Sequence, residues 1–164
     1  MKKSNAFDEF FSFLCHEIIF YFWKTKSIKT QLKMEAQIKY YENKLAYEMD
    51  PSDLFEALND GEKIIVIDAR RAFGYDEEHI PNAINIPHRE MNAETTKHLD
   101  KEVLYVTYCT GIGCNASTKG ALNMTKLGFK VKELIGGLEW WKIDGYATEG
   151  TKGEKQGLKI ECAC

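Results

Sequence analysis

Two unbroken runs of apolar and β-branched residues constrain the fold more than any other feature of this sequence. They are KIIVIDA at 63–69 and VLYVTY at 103–108. A strand that is buried on both faces needs such a run, because neither face meets water. INI at 84–86, which ends at Pro87, and KVKELI at 130–135 are further candidate strands.

Helical patterns alternate with these strands. In the segment 50–61, Asp50 is a predicted N-cap and Pro51 takes the first helical position. Between residues 115 and 127 the apolar residues recur at helical spacing, and Gly128 ends the helix. Alternating strands and helices predict an α/β fold, an open parallel sheet with helices on both faces. A helical N-terminal extension precedes it.

The stretch YCTGIGCNAS at 108–117 joins the second buried strand to a helix. Ligands bind at this edge of parallel sheets, because N–H groups of the turn and of the helix start converge there. Gly111 and Gly113 permit the backbone angles that turn such groups inward. We expect this ring of N–H groups to lower the pKa of Cys109 and to make its thiolate a nucleophile. A buried cysteine alone is commonly inert, so the glycines and the second cysteine decide in favour of chemistry.

Four segments from about Asp50 to Glu149 together resemble the rhodanese family in order and spacing. They are VIDAR at 66–70, EEHIPNAINIP at 77–87, VTYC at 106–109 and LGFKVKELIGGLEWWKIDGY at 127–146. The resemblance implies a rhodanese-like fold and a sulfurtransferase activity. It also implies that Cys109 becomes a persulfide, which takes sulfur from a donor and gives it to a nucleophilic acceptor.

The resemblance also places the remaining site residues. The predicted substrate-binding loop consists of Thr110, Gly111, Ile112, Gly113, Cys114, Asn115 and Ala116. Asp68 and Arg70 are expected to pair at a strand end and to position that loop, and Arg89 is a candidate cation at the rim. His79 is interpreted as a packing residue. Trp140 and Trp141 are expected to seal the core, with one of them at the site mouth. We predict no cofactor and no metal in the site.

The loop departs from the family's pattern in its charge and length. It is about two residues longer than the short loops of the family. No lysine or arginine lies between Cys109 and Lys119. A dianionic donor such as thiosulfate would therefore rely on backbone dipoles alone, so the persulfide of a protein or small thiol is at least as good a candidate donor. Related phosphatases need an arginine at the position of Asn115, which argues against phosphate chemistry.

The second loop cysteine leaves several roles open. Cys114 can resolve the Cys109 persulfide as a disulfide, carry sulfur itself, or simply pack beneath the helix. Two other functions also stay open. One is a non-catalytic module that binds or regulates a partner, and the other is a thiol–disulfide switch between Cys109 and Cys114.

The two ends of the chain are separate predictions. Residues 1–33 form an amphipathic aromatic extension, whose apolar side over 7–23 can pack on its own domain, on a partner chain or on a membrane surface. A third possibility is that this segment is an upstream extension and that Met34 is the natural start. Residues 34–149 form the domain with a leading helix to about Tyr47. Residues 150–164 form a mobile tail. Its Cys162 and Cys164 can relay sulfur or bind a soft metal, although two ligands without a nearby histidine make a poor metal site.

Composition narrows the class of protein. The chain has 164 residues, enough for one domain, and its net charge of −3 argues against nucleic acid as a partner. Five cysteines, unevenly placed, do not make a disulfide framework and suit a reducing compartment. The apolar run near the N-terminus is too short and too polar to span a membrane. We expect a cytoplasmic protein whose partners are a small sulfur donor and a thiol or protein acceptor, with its oligomeric state left open.

Overall fold

The computed structural model describes residues 6–154, with side chains described for 23–25 and 29–154. Helix α1, Ala6–Tyr47, is followed by β1, Glu48–Met49, and α2, Pro51–Asn59. The remaining elements, in chain order, are β2 (Ile64–Asp68), α3 (Ala72–Glu77), β3 (Ile84–Asn85), β4 (Leu104–Tyr108), α4 (Ala116–Lys126), β5 (Lys130–Leu134) and α5 (Gly137–Ile143).

The chain divides between Lys44 and Leu45 into two compact units. The first is helix α1 up to Lys44, one continuous helix where the sequence pattern predicted two helical segments. Of the aromatic face predicted over 7–23, only Trp23 is among the described side chains, so the face stays a prediction, as do the domain limits at 33 and 149. In the part of the chain described, no helix is both long and apolar enough to cross a membrane.

The second unit is built on a parallel sheet of five strands in the order β1-β5-β4-β2-β3. The predicted α/β fold is confirmed, and the two unbroken apolar runs form the adjacent strands β2 and β4. Alternate residues of β4 enter different cores: Val106 and Tyr108 belong to one cluster, Tyr105 to the other. Because both faces are covered, both sets of side chains have to be apolar.

Helices cover the two faces unequally. Leu54 of α2 and Leu138 of α5 pack in the cluster with Val106, whereas Met124 of α4 packs in the cluster with Tyr105. Helix α2 begins as predicted, with the Asp53 amide donating to Asp50 Oδ1 at 2.8 Å. This arrangement leaves the segments that follow the carboxyl ends of β2 and β4 at the same edge of the sheet.

Three elements have no clear signal in the sequence. Strand β1 has two residues, too few for a pattern of alternation, and α3 has six residues of which none is buried. Helix α5 begins immediately after Gly136, whose φ of 74° is typical of a turn rather than a helix start. The short β1 nevertheless extends the sheet beyond β5, where Glu48 pairs with Glu133.

Candidate active site

Cys109 follows the last residue of β4 and is 2% exposed. Its thiol donates a hydrogen bond to the carbonyl oxygen of Cys114, with 2.9 Å between Sγ and O. The Ser117 hydroxyl lies 3.3 Å from the same sulfur, and the Gly111 carbonyl oxygen lies at 3.6 Å. Two carbonyl oxygens therefore face the thiol at a place where the sequence predicted converging N–H groups.

The predicted lowering of the Cys109 pKa is wrong. Burial raises the pKa of the Cys109 thiol, because a thiolate loses its hydration inside the protein. The side chain and the backbone N–H of Ser117 act in the opposite direction by hydrogen bonding, but they do not outweigh burial. The Cys114 thiol raises the pKa further, through a hydrogen bond and through its charge. At rest the buried cysteine is thus held as a neutral thiol.

Ser117 connects Cys109 to a carboxylate. Its hydroxyl donates to Glu133 Oε1 at 2.8 Å, and the Thr118 hydroxyl donates to the same oxygen at 2.8 Å. Glu133 reaches this position because β5 pairs with β4, which sets Glu133 beside Thr107. Neither Ser117 nor Glu133 was predicted from the sequence as a site residue. A charged residue inside the strand-like run KVKELI was the available signal.

The loop is held from below by the start of α5. The Leu138 amide donates to the Cys109 carbonyl oxygen at 3.0 Å, and the Glu139 amide donates to that of Thr110 at 2.8 Å. Gly137 permits this approach, since its φ is 56° and a Cβ there would overlap the Cys109 carbonyl. A side chain at Gly111 would overlap the Glu139 carboxylate, which covers that part of the loop.

The predicted pair of Asp68 and Arg70 is present at the end of β2. Asp68 is fully buried, and Arg70 contacts its carboxylate through Nη2 at 2.6 Å and Nε at 3.0 Å. The same Nη2 donates to the Glu78 carbonyl oxygen, and the guanidinium lies over the Tyr108 ring at 5.7 Å. The pair therefore ties the segment after β2 to β4, the strand that leads into the loop.

A cavity of about 1060 Å³ lies beside the loop. Of the predicted loop residues it is lined by Thr110, Cys114 and Ala116, and Cys109 is not part of the lining. Gly111 is buried, and Ile112, Gly113 and Asn115 lie exposed, so the loop divides into a wall and an outer part. Cys114 is partly exposed, in contrast to Cys109.

Cations reach this cavity from outside the loop. Those in its lining are Arg70, Arg71, Arg89, Lys142 and Lys152. Arg89, the candidate rim cation, is in this lining, and Arg71 was not predicted from the sequence. The expectation that a dianion would rely on backbone dipoles alone is wrong, because separate segments bring arginines to the same edge of the sheet. Among the described side chains, neither Arg71 nor Arg89 is part of an ion pair.

His79 and Trp141 serve in packing, whereas Trp140 does not. His79 stacks on Tyr75, with its Nδ1 2.7 Å from the Tyr75 carbonyl oxygen, and it is absent from the cavity lining, in agreement with its predicted packing role. Trp141 is buried in the core as predicted. Trp140 is 47% exposed and lies against Gly136, so the prediction that it seals the core is wrong.

Among the described residues, no group of three or more histidine, cysteine or acidic side chains is arranged to hold a metal ion. Cys162 and Cys164 lie outside those residues, so their predicted roles stay predictions.

Comparisons with known proteins agree with this geometry. The model of the family described as "Rhodanese-like domain" matches residues 50–144. The thiosulfate sulfurtransferase GlpE of Coxiella burnetii is 35% identical over 91 residues, which cover 54% of this chain and 81% of that protein. The tRNA uridine(34) hydroxylase of Aster yellows witches'-broom phytoplasma is 31% identical over 122 residues, but the match covers only 38% of that protein.

A solved structure extends the similarity. The crystal structure of the BH2092 protein from Bacillus halodurans is 46% identical to this chain, with a TM-score of 0.70. The match covers 77% of this chain and 93% of that one.

Proposed function

Since the chain belongs to the rhodanese-like domain family, we propose that it is a sulfurtransferase that stores sulfane sulfur as a persulfide on Cys109. One observation carries the proposal. A cysteine at the carboxyl end of the central strand β4 has a serine hydroxyl 3.3 Å from its sulfur, and the next residue, Thr110, lines a cavity of about 1060 Å³.

The chemistry is a displacement in two halves. In the first half a thiolate takes the sulfane sulfur from the donor, and the rest of the donor leaves with the electron pair of the broken bond. In the second half an acceptor thiolate attacks the terminal sulfur, and the enzyme thiolate leaves. Ser117 supports both halves, because its backbone N–H donates to the sulfur when the sulfur is negative, and its hydroxyl can turn from Glu133 to do the same.

The donor is thiosulfate or the persulfide of a thiol. The cavity has the size that accommodates small organic ligands, and Arg71 and Arg89 supply positive charge at its wall. Positive charge favours thiosulfate as well as the carboxylates of a peptide thiol. The relative in Coxiella burnetii is named for thiosulfate, which supports testing this donor first.

The test is a mass measurement on the intact protein after incubation with thiosulfate or with glutathione persulfide. We expect the gain of one sulfur atom, which fragmentation of the loop peptide places on Cys109. The control variant replaces Cys15, Cys162 and Cys164 with serine and leaves the two loop cysteines, and it is expected to load equally. No gain with either donor, or sulfur found outside the loop, would overturn the proposal in favour of a binding module.

A further inference from the structure

We infer that Cys114 receives the sulfur from the donor in the cavity and passes it inward to Cys109. This inference rests on the proposed function and concerns the route by which sulfur reaches the storage site. It assigns to the second loop cysteine the role of an entry nucleophile, one that reacts with the donor directly.

Accessibility is the first observation. Cys114 is partly exposed and lines the cavity, whereas Cys109 is 2% exposed and does not. A thiolate attacks a sulfur–sulfur bond along its axis, so the donor has to reach the attacking sulfur. A donor held in the cavity meets Cys114, while the Cys109 sulfur is enclosed by the loop.

Proximity is the second observation. The Cys109 sulfur is 2.9 Å from the carbonyl oxygen of Cys114, and the Cys114 amide donates to the Gly111 carbonyl oxygen at 3.0 Å. This turn folds the loop back, so that the two cysteines lie beside each other. The Cys114 thiol is close enough to raise the pKa of Cys109 by hydrogen bonding. The two cysteines are therefore neighbours in the folded loop, with the backbone of Cys114 in contact with the buried sulfur.

The environment of Cys109 is the third observation. Its thiol is held neutral by burial and by the carbonyl oxygen of Cys114, and a neutral thiol is a poor nucleophile. The same enclosure protects a persulfide once it has formed, since solvent thiols cannot reach it. Cys109 is thus better suited to storing sulfur than to capturing it, whereas Cys114 is the loop thiol that lies open to the cavity.

The transfer balances in two steps without an oxidant. The Cys114 thiolate attacks the sulfane sulfur of a thiol persulfide, the sulfur–sulfur bond of the donor breaks, and the donor leaves as a thiolate. Cys109, giving up its proton, then attacks the terminal sulfur of the Cys114 persulfide, and the bond from that sulfur to Cys114 breaks. Cys114 leaves as a thiolate and takes the proton that Cys109 has lost. An acceptor thiol empties the site by the reverse path.

The experiment follows the position of sulfur in time. Wild type, Cys109→Ser and Cys114→Ser are mixed with glutathione persulfide, quenched by alkylation at intervals and mapped by fragmentation of the loop peptide. In the wild type we expect sulfur on Cys114 first and on Cys109 later. Cys109→Ser should load Cys114 at the initial rate of the wild type. Cys114→Ser should load Cys109 at least tenfold more slowly, and Cys15→Ser serves as the control for loss of a thiol elsewhere.

Several outcomes separate the inference from the proposed function. Loading of Cys109 at the wild-type rate in Cys114→Ser would overturn the inference and leave the proposed function intact. So would a Cys109–Cys114 disulfide with release of hydrosulfide, because Cys114 would then be a resolving residue. Failure of the wild type to hold any sulfur would overturn the proposed function itself. The Cys109→Ser arm guards against misfolding, since a misfolded variant would not load Cys114 at the wild-type initial rate.

Discussion

The carbonyl oxygen of Cys114 accepts a hydrogen bond from the thiol of Cys109, with 2.9 Å between oxygen and sulfur. Five residues of loop therefore close on themselves, and the second cysteine contacts the first through its backbone. A carbonyl oxygen stabilises the thiol and not the thiolate. The loop thus favours the neutral form of Cys109.

The ionisation of Cys109 is the first prediction. Because burial raises the pKa of its thiol, the alkylation rate of Cys109 should inflect at a higher pH in the folded protein than in the urea-denatured protein. The same shift contributes stability that is complete below the unfolded pKa and is lost as pH rises through the folded pKa. The measurement is the rate of iodoacetamide labelling against pH in Cys114→Ser, with each site read by mass. An inflection at or below that of the denatured chain would contradict the raised pKa.

Ser117 is the subject of the second prediction. Its hydroxyl lowers the pKa of Cys109, so Ser117→Ala should move the inflection of the same pH profile to still higher pH and slow labelling at neutral pH. Ser117→Thr retains a hydroxyl and is the matched control, with a profile closer to the wild type. If the alanine variant kept the wild-type profile, the Ser117 hydroxyl would hydrogen-bond to Glu133 alone and would not affect the pKa of Cys109.

The position of the nucleophile could be predicted from the sequence, but its surroundings could not. The run VLYVTY predicted a buried strand, and a cysteine directly after such a strand necessarily lies at the ligand-binding edge of a parallel sheet. The contact between Ser117 and Glu133 depends instead on which strands become neighbours, because only the pairing of β4 with β5 brings Glu133 to the loop. No local pattern contains that information.

Burial of Cys109 was missed for a similar reason. It depends on α5 closing on the loop through the Leu138 and Glu139 amides, which are distant in sequence. The cavity cations Arg71 and Arg89 likewise come from two separate segments, so a search of the loop alone found no positive charge. The predicted pKa direction was wrong because helix dipoles were weighed without the desolvation that burial imposes.

The approach of α5 to the loop is tested by Gly137. Gly137→Ala places a side chain at a φ of 56° and against the Cys109 carbonyl, so we expect the free energy of unfolding to fall by about 1–3 kcal/mol or more. Urea denaturation followed by circular dichroism measures it. The control is Gly61→Ala. Gly61 has a φ of 75° but open space around the new Cβ, so this variant measures the backbone strain without the steric overlap. An equal decrease in the free energy of unfolding in the two variants would show that the overlap with the Cys109 carbonyl does not destabilise the fold.

The buried ion pair at the end of β2 gives the last prediction. Asp68 is fully buried, and its carboxylate is contacted by Nε and Nη2 of Arg70, whose side chain is 13% exposed. Removing one partner of a buried pair leaves the other charge without compensation, so Asp68→Ala should destabilise the fold by about 3–5 kcal/mol.

The matched control for Asp68→Ala is Lys130→Ala, which removes the exposed pair with Glu102 and should change stability by less than about 1 kcal/mol. Urea denaturation midpoints compare the two variants. The guanidinium of Arg70 also lies over the ring of Tyr108, the residue before Cys109. The rate of sulfur loading should therefore fall in Asp68→Ala even at urea concentrations at which the variant is folded. Loading at the wild-type rate in folded Asp68→Ala would show that the pair supports the sheet without positioning the loop.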